Sequence, residues 1–330
     1  MTHLRRRGGR DRHVVDDPQP RTASGPTELA PGGTNAVGHM LALLGDEWSL
    51  LVMQQALLGA TRYGQFMSRL PISNSVLTRR LGTLTADGLL RRHRYQDRPP
   101  RDEYLVTARG RALWPILLSI WEWERRWVPE QRDALPGMRH ISCGEEFHPL
   151  LSCSACEKEA NPGEVVARWG PSGGWQRALP VATTRRRSGS GSGADDRDSP
   201  SGLFPQTMSV LGNRWACAIL VAAFTGTTRF STFQKLLAAP PGSVSDRLAR
   251  FRANGIMTTS PERPEYLLTA KGEAFLPVLV TGLQWAQGWF SAPEGPAVNL
   301  THTACDQVFH PVLRCDRCKE PLTGNSVQTI

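Results

Sequence analysis

At 330 residues and 40% hydrophobic content, the chain is long enough for two cores rather than one. Its net charge of +9 favours a polyanionic partner such as nucleic acid. No apolar run approaches the roughly 20 residues of a membrane span, and no apolar stretch follows the basic segment Met1 to Arg12, so a cytoplasmic protein with no membrane partner is expected.

Residues 1–36 are rich in Arg, Gly, Pro and Thr without periodicity and read as a disordered basic tail. A first globular unit is expected over 37–136. Its first helix carries Leu50, Leu51, Val52, Met53, Leu57 and Leu58 and closes near Gly59. Thr61 reads as the N-cap of a short helix with Tyr63, Phe66 and Leu70. After the turn Pro71-Ile72-Ser73, Asn74 or Ser75 caps a helix in which Val76, Leu77, Leu81 and Leu84 recur at helical spacing, and Asp87-Gly88 ends it. Leu89 to Tyr95 reads as a strand, Asp97 to Arg101 as a turn, and Glu103 to Val106 as the returning strand. Thr107 caps a last helix bearing Leu113, Ile116, Leu117, Ile120, Trp121, Trp123 and Trp127. Helix, turn, helix and basic ribbon in this order form a winged helix-turn-helix.

The helix Ser75–Ala86 is the expected recognition helix. Its apolar residues seat it on the core and leave Ser75, Thr78, Arg79, Thr83 and Arg80 to face outward, where hydroxyls and Arg reach phosphates and base edges. Beside it, Arg91, Arg92, Arg94, Arg98 and Arg101 crowd one short hairpin, with Asp97 and Asp102 in opposition. Like charges this dense repel unless a polyanion lies alongside. Double-stranded DNA is therefore the expected partner.

Residues 137–166 hold His140-x-x-Cys143 and, nine residues on, Cys153-x-x-Cys156. Two such knuckles supply the four N/S ligands of a closed tetrahedral zinc ribbon. In the absence of a signal peptide, metal is favoured over a disulfide framework, although a disulfide within the CxxC pair or an iron–sulfur centre remains a rival. Residues 167–202, with Arg185-Arg186-Arg187 and Ser-Gly alternation, read as a flexible linker.

The chain then repeats itself. Leu44-Gly45-Asp46-Glu47-Trp48 returns as Leu211-Gly212-Asn213-Arg214-Trp215, and Tyr104 to Gly110 as Tyr266 to Gly272. A second globular unit spans 203–297, and a second cluster over 298–324 contains His302, Cys305, Cys315 and Cys318. Two structural Zn²⁺ sites are expected, His140/Cys143/Cys153/Cys156 and His302/Cys305/Cys315/Cys318. His148 and His310 are read as neighbours of the sites rather than ligands, and Cys217, on an apolar helix, as core. The copies diverge at their reading surfaces. Asp246 stands where the first copy has Arg79, and the second hairpin, Ser260 to Glu265, lacks the Arg cluster. The first unit is thus the expected main reader.

The fold class that follows is mainly α with small β-ribbons (α+β): two winged helix-turn-helix domains, each followed by a small zinc-ribbon-like module. Trp114, Trp121, Trp123, Trp127, Trp285 and Trp289 fall on the last helices, where they form a packing interface or line a small-molecule pocket. No Ser/His/Asp set, paired carboxylates or Gly-rich phosphate loop marks an enzyme. The alternatives are a ligand- or metal-responsive sensor using the second unit, or a winged-helix scaffold turned to a biosynthetic activity.

Leu44 to Leu51, Tyr63-Gly64-Gln65-Phe66, Leu77-Thr78-Arg79-Arg80-Leu81, Asp87 to Arg92 and Pro100 to Thr107 together resemble the HxlR-type family of bacterial winged-helix regulators. The resemblance covers most of residues 39–128 and, more weakly, 206–290. It implies a dimeric transcription regulator with N- and C-terminal helices at the interface, the Ser75–Ala86 helix in the major groove and the Arg91–Arg101 wing on the backbone. Many single-domain relatives carry a sensing Cys before the first helix, whereas Thr34 to Met40 has none. The tandem arrangement allows an intramolecular pseudo-dimer as well as a homodimer.

Overall fold

The computed structural model describes residues 25–179, 204–211 and 214–330. The expected tail over 1–24 and the linker over 180–202, including Arg185–Arg187, lie outside the described residues. Two stretches assigned to those segments are ordered. Residues 25–36 include strand β1 (Thr27–Glu28), and residues 167–179 include the end of strand β6 (Val165–Trp169) and helix α7 (Trp175–Ala178). Both are held by distant parts of the chain that composition does not reveal. β1 pairs in parallel with β9 (Phe290–Ser291), and Asn35 donates a hydrogen bond to the Ser172 carbonyl at 3.1 Å. A Cβ on Gly38 would come within 2.9 Å of the Ala178 carbonyl oxygen, so the approach of α7 depends on that glycine.

The first unit comprises α1 (Ala36–Leu44), α2 (Glu47–Leu57), α3 (Tyr63–Arg69), α4 (Asn74–Ala86), β2 (Leu90–Asp97), β3 (Pro100–Val106), α5 (Ala108–Arg111) and α6 (Trp114–Trp127). α1 is the N-terminal helix that the resemblance implies, but no periodicity marks it in the sequence. It is apolar along nearly its whole length, which leaves no polar face to mark a helical period. Two caps differ by a residue or two from expectation. α3 starts after Arg62, with the Gln65 side chain accepting from the Thr61 and Arg62 amides, and Ser73 rather than Asn74 or Ser75 caps α4. Thr107 caps α5 by accepting from the Gly110 amide, and its hydroxyl donates to the Gly88 carbonyl at 2.6 Å. A Cβ at Gly110 would lie 2.2 Å from the Leu89 carbonyl oxygen, so this turn admits only glycine.

The second unit follows the same order: α8 (Pro205–Leu211), α9 (Arg214–Phe224), α10 (Phe230–Leu237), α11 (Pro241–Ala253), β7 (Met257–Thr259), β8 (Tyr266–Leu268), α12 (Ala270–Glu273) and α13 (Leu276–Trp289). Thr269 and Gly272 reproduce the Thr107–Gly110 turn, down to the 2.2 Å clearance at the glycine. Cys217 is fully buried in α9, and burial pushes its thiol up to about 12.

The units pack through their outer helices. α13 lies against α1 and α6, and α6 touches α8. The contacts are reciprocal. The Trp123 indole donates to the Lys271 carbonyl at 3.0 Å, and the Trp285 indole donates to the Arg109 carbonyl at 3.1 Å. The Lys271 ammonium lies over the Trp123 ring, and the Arg109 guanidinium over the Trp289 and Phe290 rings. The two indole hydrogen bonds are equivalent, as in a two-fold interface, whereas the two cations cover non-equivalent rings. No single helix among the described residues is long and apolar enough to cross a membrane.

Below the paired units lie β4 (Met138–His140), β5 (Pro149–Cys153), β6, β10 (Val298–His302), β11 (Gln307–Val308), β12 (Pro311–Cys315) and β13 (Val327–Thr329). Here the strands cross between copies. β5 pairs antiparallel with β12, centred on Leu151 opposite Leu313, while β4 pairs with β13 and β6 with β10.

Candidate nucleic-acid interface and metal centres

α4 packs through buried Leu77, Leu81 and Leu84 and exposes Ser75, Thr78, Arg79 and Thr83. The Tyr63 hydroxyl, 3.3 Å from Thr78 Oγ1, donates to the Asn74 carbonyl at 3.0 Å and so pins the start of α4. Arg80 departs from expectation. It turns back to Asp46 in a 2.6 Å ion pair with both side chains largely covered. Periodicity placed it at the edge of the exposed face, but Asp46, at the N-cap of α2, draws it inward.

On the wing, Arg92 and Arg94 are paired to Asp102. Desolvation alone would raise the Asp102 carboxyl, but hydrogen bonds and charge from Arg92 and then Arg94 outweigh it and hold the group below its usual range. Arg91, Arg98 and Arg101 are exposed and have no carboxylate partner among the described residues, and the same holds for Arg79. The ribbon therefore presents free cations beside the outward face of α4. The second unit is quieter. Asp246 pairs with Arg247 and Arg250, Arg229 pairs with Glu265, and β7 and β8 have three residues each.

The eight His and Cys ligand candidates form two clusters, but not the two the sequence suggested. His140 and Cys143 meet Cys315 and Cys318, while Cys153 and Cys156 meet His302 and Cys305. The expected own-copy sets, and with them the two self-contained ribbon modules over 137–166 and 298–324, are corrected by this exchange. Its cause is strand pairing. β5 and β12 run past each other, so the Cys pair that follows each strand arrives beside the other copy's His. Within each cluster the donor atoms all lie within 4.8 Å of one another. Cys143 and Cys315 sulfurs are 3.9 Å apart, and Cys318 Sγ lies 3.2 Å from His140 Nδ1. In the second cluster Cys153 and Cys305 sulfurs are 4.0 Å apart, and Cys156 Sγ is 3.4 Å from His302 Nδ1.

A tetrahedron with zinc–sulfur bonds of about 2.3 Å has edges of about 3.8 Å, so these separations fit one ion per cluster. All seven cysteines stand as free cysteines in this structure. Both imidazoles are fully buried, with Phe147 beside His140 and Phe309 beside His302. Every knuckle closes alike. The amides of Gly144, Glu157, Asp306 and Lys319 donate to the carbonyls of His140, Cys153, His302 and Cys315, each from a left-handed backbone. Three of those four residues are not glycine, a cost of about 1 kcal/mol or more each that the knuckle must offset. Burial pushes the Cys315 thiol up to about 11. The Lys158 amide, followed by its neighbouring thiols and the Lys158 charge, holds Cys156 below its ordinary value.

His148 and His310 stand outside both clusters. His148 Nδ1 is 2.8 Å from Glu122 Oε2, a hydrogen bond that raises its pKa.

The helix-turn-helix and its ribbon occur twice, and so does the match to known proteins: residues 43–132 and 210–294 both fit the HxlR-like helix-turn-helix family. The chain belongs to that family. Among relatives, the HTH-type transcriptional regulator Rv3095 of Mycobacterium tuberculosis is 34% identical over 136 residues, 41% of this chain and 86% of that protein. The HTH-type transcriptional regulator sll1512 of Synechocystis is 36% identical over 96 residues, 29% of this chain and 71% of that protein. YvaP of Bacillus subtilis, another HTH-type regulator, is 34% identical over 103 residues, 31% of this chain and 92% of that protein. This HxlR-like chain thus holds two copies of a unit that spans most of each of these relatives.

Proposed function

We propose that this HxlR-like transcriptional regulator reads double-stranded DNA chiefly with its first unit, as a single-chain pseudo-dimer braced by two structural zinc ions. Ser75, Thr78 and Arg79 of α4 would face base edges in the major groove, and Arg91, Arg98 and Arg101 would lie on phosphates. Arg92 and Arg94 would add to the field while tied to Asp102. Arg80 is assigned to holding α4 on α2. The observation that carries the reading is the set of unpaired, exposed Arg on the first wing and α4, against a second unit that has Asp246 at the position of Arg79 and a short ribbon without the Arg cluster. If both units engage one duplex, their recognition helices should sit about 34–36 Å apart.

Zinc is favoured by the donor chemistry, since three thiols and one imidazole at tetrahedral spacing make a closed set with no position left for water or substrate. That closure favours a bracing role for the ions over a catalytic one. When bound, each ion would join a His-x-x-Cys knuckle of one copy to a Cys-x-x-Cys knuckle of the other. The natural setting for such a protein is the cytoplasm.

Fluorescence anisotropy on the DNA upstream of its own gene and on scrambled DNA, across a salt series, tests the DNA reading. Tight binding to the upstream DNA whose preference is lost in Arg79→Ala supports it. Equal weak binding to both DNAs, unchanged in the variant, refutes it.

A further inference from the structure

Two cavities occupy corresponding places in the two halves. The smaller, about 230 Å³, lies between α2, α6 and β13, with Trp114, Leu117 and Trp121 in its wall. The larger, about 510 Å³, lies between α9, α13 and β6, where Leu276, Leu279 and Leu283 face it. α6 and α13 each have 14 residues with Pro second, so the comparison is position for position. Leu276 replaces Trp114, Leu279 matches Leu117, and Leu283 replaces Trp121. Two indoles that narrow the smaller cavity are isobutyl groups in the wall of the larger. Only the larger volume reaches the roughly 300–1,000 Å³ of small-molecule sites.

The larger cavity also has walls of its own. β6 turns Val165, Ala167 and Trp169 toward it, alternate residues on one strand face. Trp175 of α7 stands edge-on to Trp169, with ring centroids 5.4 Å apart and planes at 83°. Trp169 remains 42% exposed, an aromatic surface at the rim. Arg168 leaves β6 on the opposite face but still borders the rim of the same opening, exposed and without a carboxylate partner among the described residues. Flat apolar walls, an aromatic edge and one free cation define the ligand by its chemistry. We propose that this cavity binds a planar aromatic anion, its rings against α13 and the two tryptophans and its charge toward Arg168. The DNA-reading residues take no part in it, so the proposal stands or falls separately from the DNA assignment. Its walls join the paired helices α1 and α13 to α9 and α10 of the second helix-turn-helix.

The test is titration of the full chain with 8-anilinonaphthalene-1-sulfonate and with its uncharged analogue N-phenyl-1-naphthylamine. One saturable site per chain is expected for each probe. Leu276→Trp with Leu283→Trp, which copies the filled cavity, should weaken both probes at least about tenfold, the scale of an overpacking penalty. Ala167→Trp, at an exposed strand position, closes the mouth without enlarging a core side chain and should do the same if the double variant fails to fold. Arg168→Ala should weaken the sulfonate about threefold, as expected of an exposed charge contact, and leave the neutral probe unchanged. No saturable binding, or binding untouched by the filling and mouth-closing substitutions, overturns the site. Unchanged sulfonate affinity in Arg168→Ala, or equal weakening of both probes, overturns the assignment of an anion.

Discussion

The two units share a scaffold and differ in what they expose. Both keep the Thr–Gly turn, the reciprocal indole hydrogen bond and the knuckle geometry. The first unit keeps free Arg on α4 and a long ribbon, whereas the second puts Asp246, paired with Arg247 and Arg250, at the position of Arg79, leaves Arg252 exposed, and shortens the ribbon. The second instead has a cavity of about 510 Å³ where the first has one of about 230 Å³. Groups that make the units pair are held in common, and groups that face outward or inward to a ligand are free to diverge. A homodimer of identical chains cannot separate these roles, because any change appears on both sides.

The largest expected effect concerns the metal exchange. Cys143→Ser should lower bound zinc from two ions to one, measured by elemental analysis of purified protein. Cys143→Ser with Cys315→Ser should lose no more, because both belong to one cluster. Cys143→Ser with Cys153→Ser should lose both ions and unfold the strand layer, each site contributing on the order of 10 kcal/mol to folding. The opposite pattern would restore own-copy sites.

Next in size is the contrast in DNA contact. Arg79→Ala should cost about 1–3 kcal/mol of discrimination if it pairs with a base. Replacing Arg91, Arg98 and Arg101 by Ala should flatten the salt dependence by nearly three logarithmic units of slope, at about 0.9 per phosphate contact. Replacing Arg252 and Arg263 in the second unit should move the slope far less. Equal slopes for the two sets would mean that both units grip DNA alike.

Smaller effects are expected at the pairing surface. Trp123→Phe and Trp285→Phe each remove one cross-unit hydrogen bond and should each lower stability by about 1–2 kcal/mol in denaturant melts. Unequal costs would show that the interface is less symmetric than its contacts.

The smallest effect concerns His148. Its pKa is raised by Glu122, so the stabilisation is full below the unfolded value of about 6.5 and fades as pH rises through the folded value. The His148 side chain is half exposed, which limits the gain to under about 1 kcal/mol. Glu122→Gln should therefore lower the melting temperature slightly at pH 6 and hardly at all at pH 9. A constant difference across that range would assign Glu122 a packing role instead.

Much of this architecture is legible in the sequence because local rules carry it. Leu77, Leu81 and Leu84 fix the buried face of α4, and Thr107 and Gly110 fix a turn through their own hydrogen bonds. What escapes depends on partners distant in the chain. Arg80 reads as an outward cation until Asp46 is seen beside it. α1 has no polar stripe, because α13 and its neighbours cover it. The exchange of His and Cys knuckles leaves no trace in spacing, since both copies space them identically and own-copy and crossed sets look the same. The tryptophans were legible as a group, but not the division that puts Trp123 and Trp285 on the interface and Trp114 and Trp121 in a cavity wall.

The crossed knuckles also set a timetable for biosynthesis. Cys143 waits for Cys315, which lies 172 residues further along the chain. At about 5–20 residues per second, a ribosome needs roughly 9–34 s to cover that distance. Throughout that interval the nascent His140 and Cys143 are an incomplete half-site, able to be oxidised or to capture a stray ion, and Cys153 and Cys156 are another until Cys305 emerges 152 residues after Cys153. The first helix-turn-helix has its own core, while β6, β5 and β4 must wait for β10, β12 and β13, their partners. The set of Cys153 and Cys156 is complete once Cys305 has emerged, and the set of His140 and Cys143 only at Cys318, so the centre that begins first in the chain closes second.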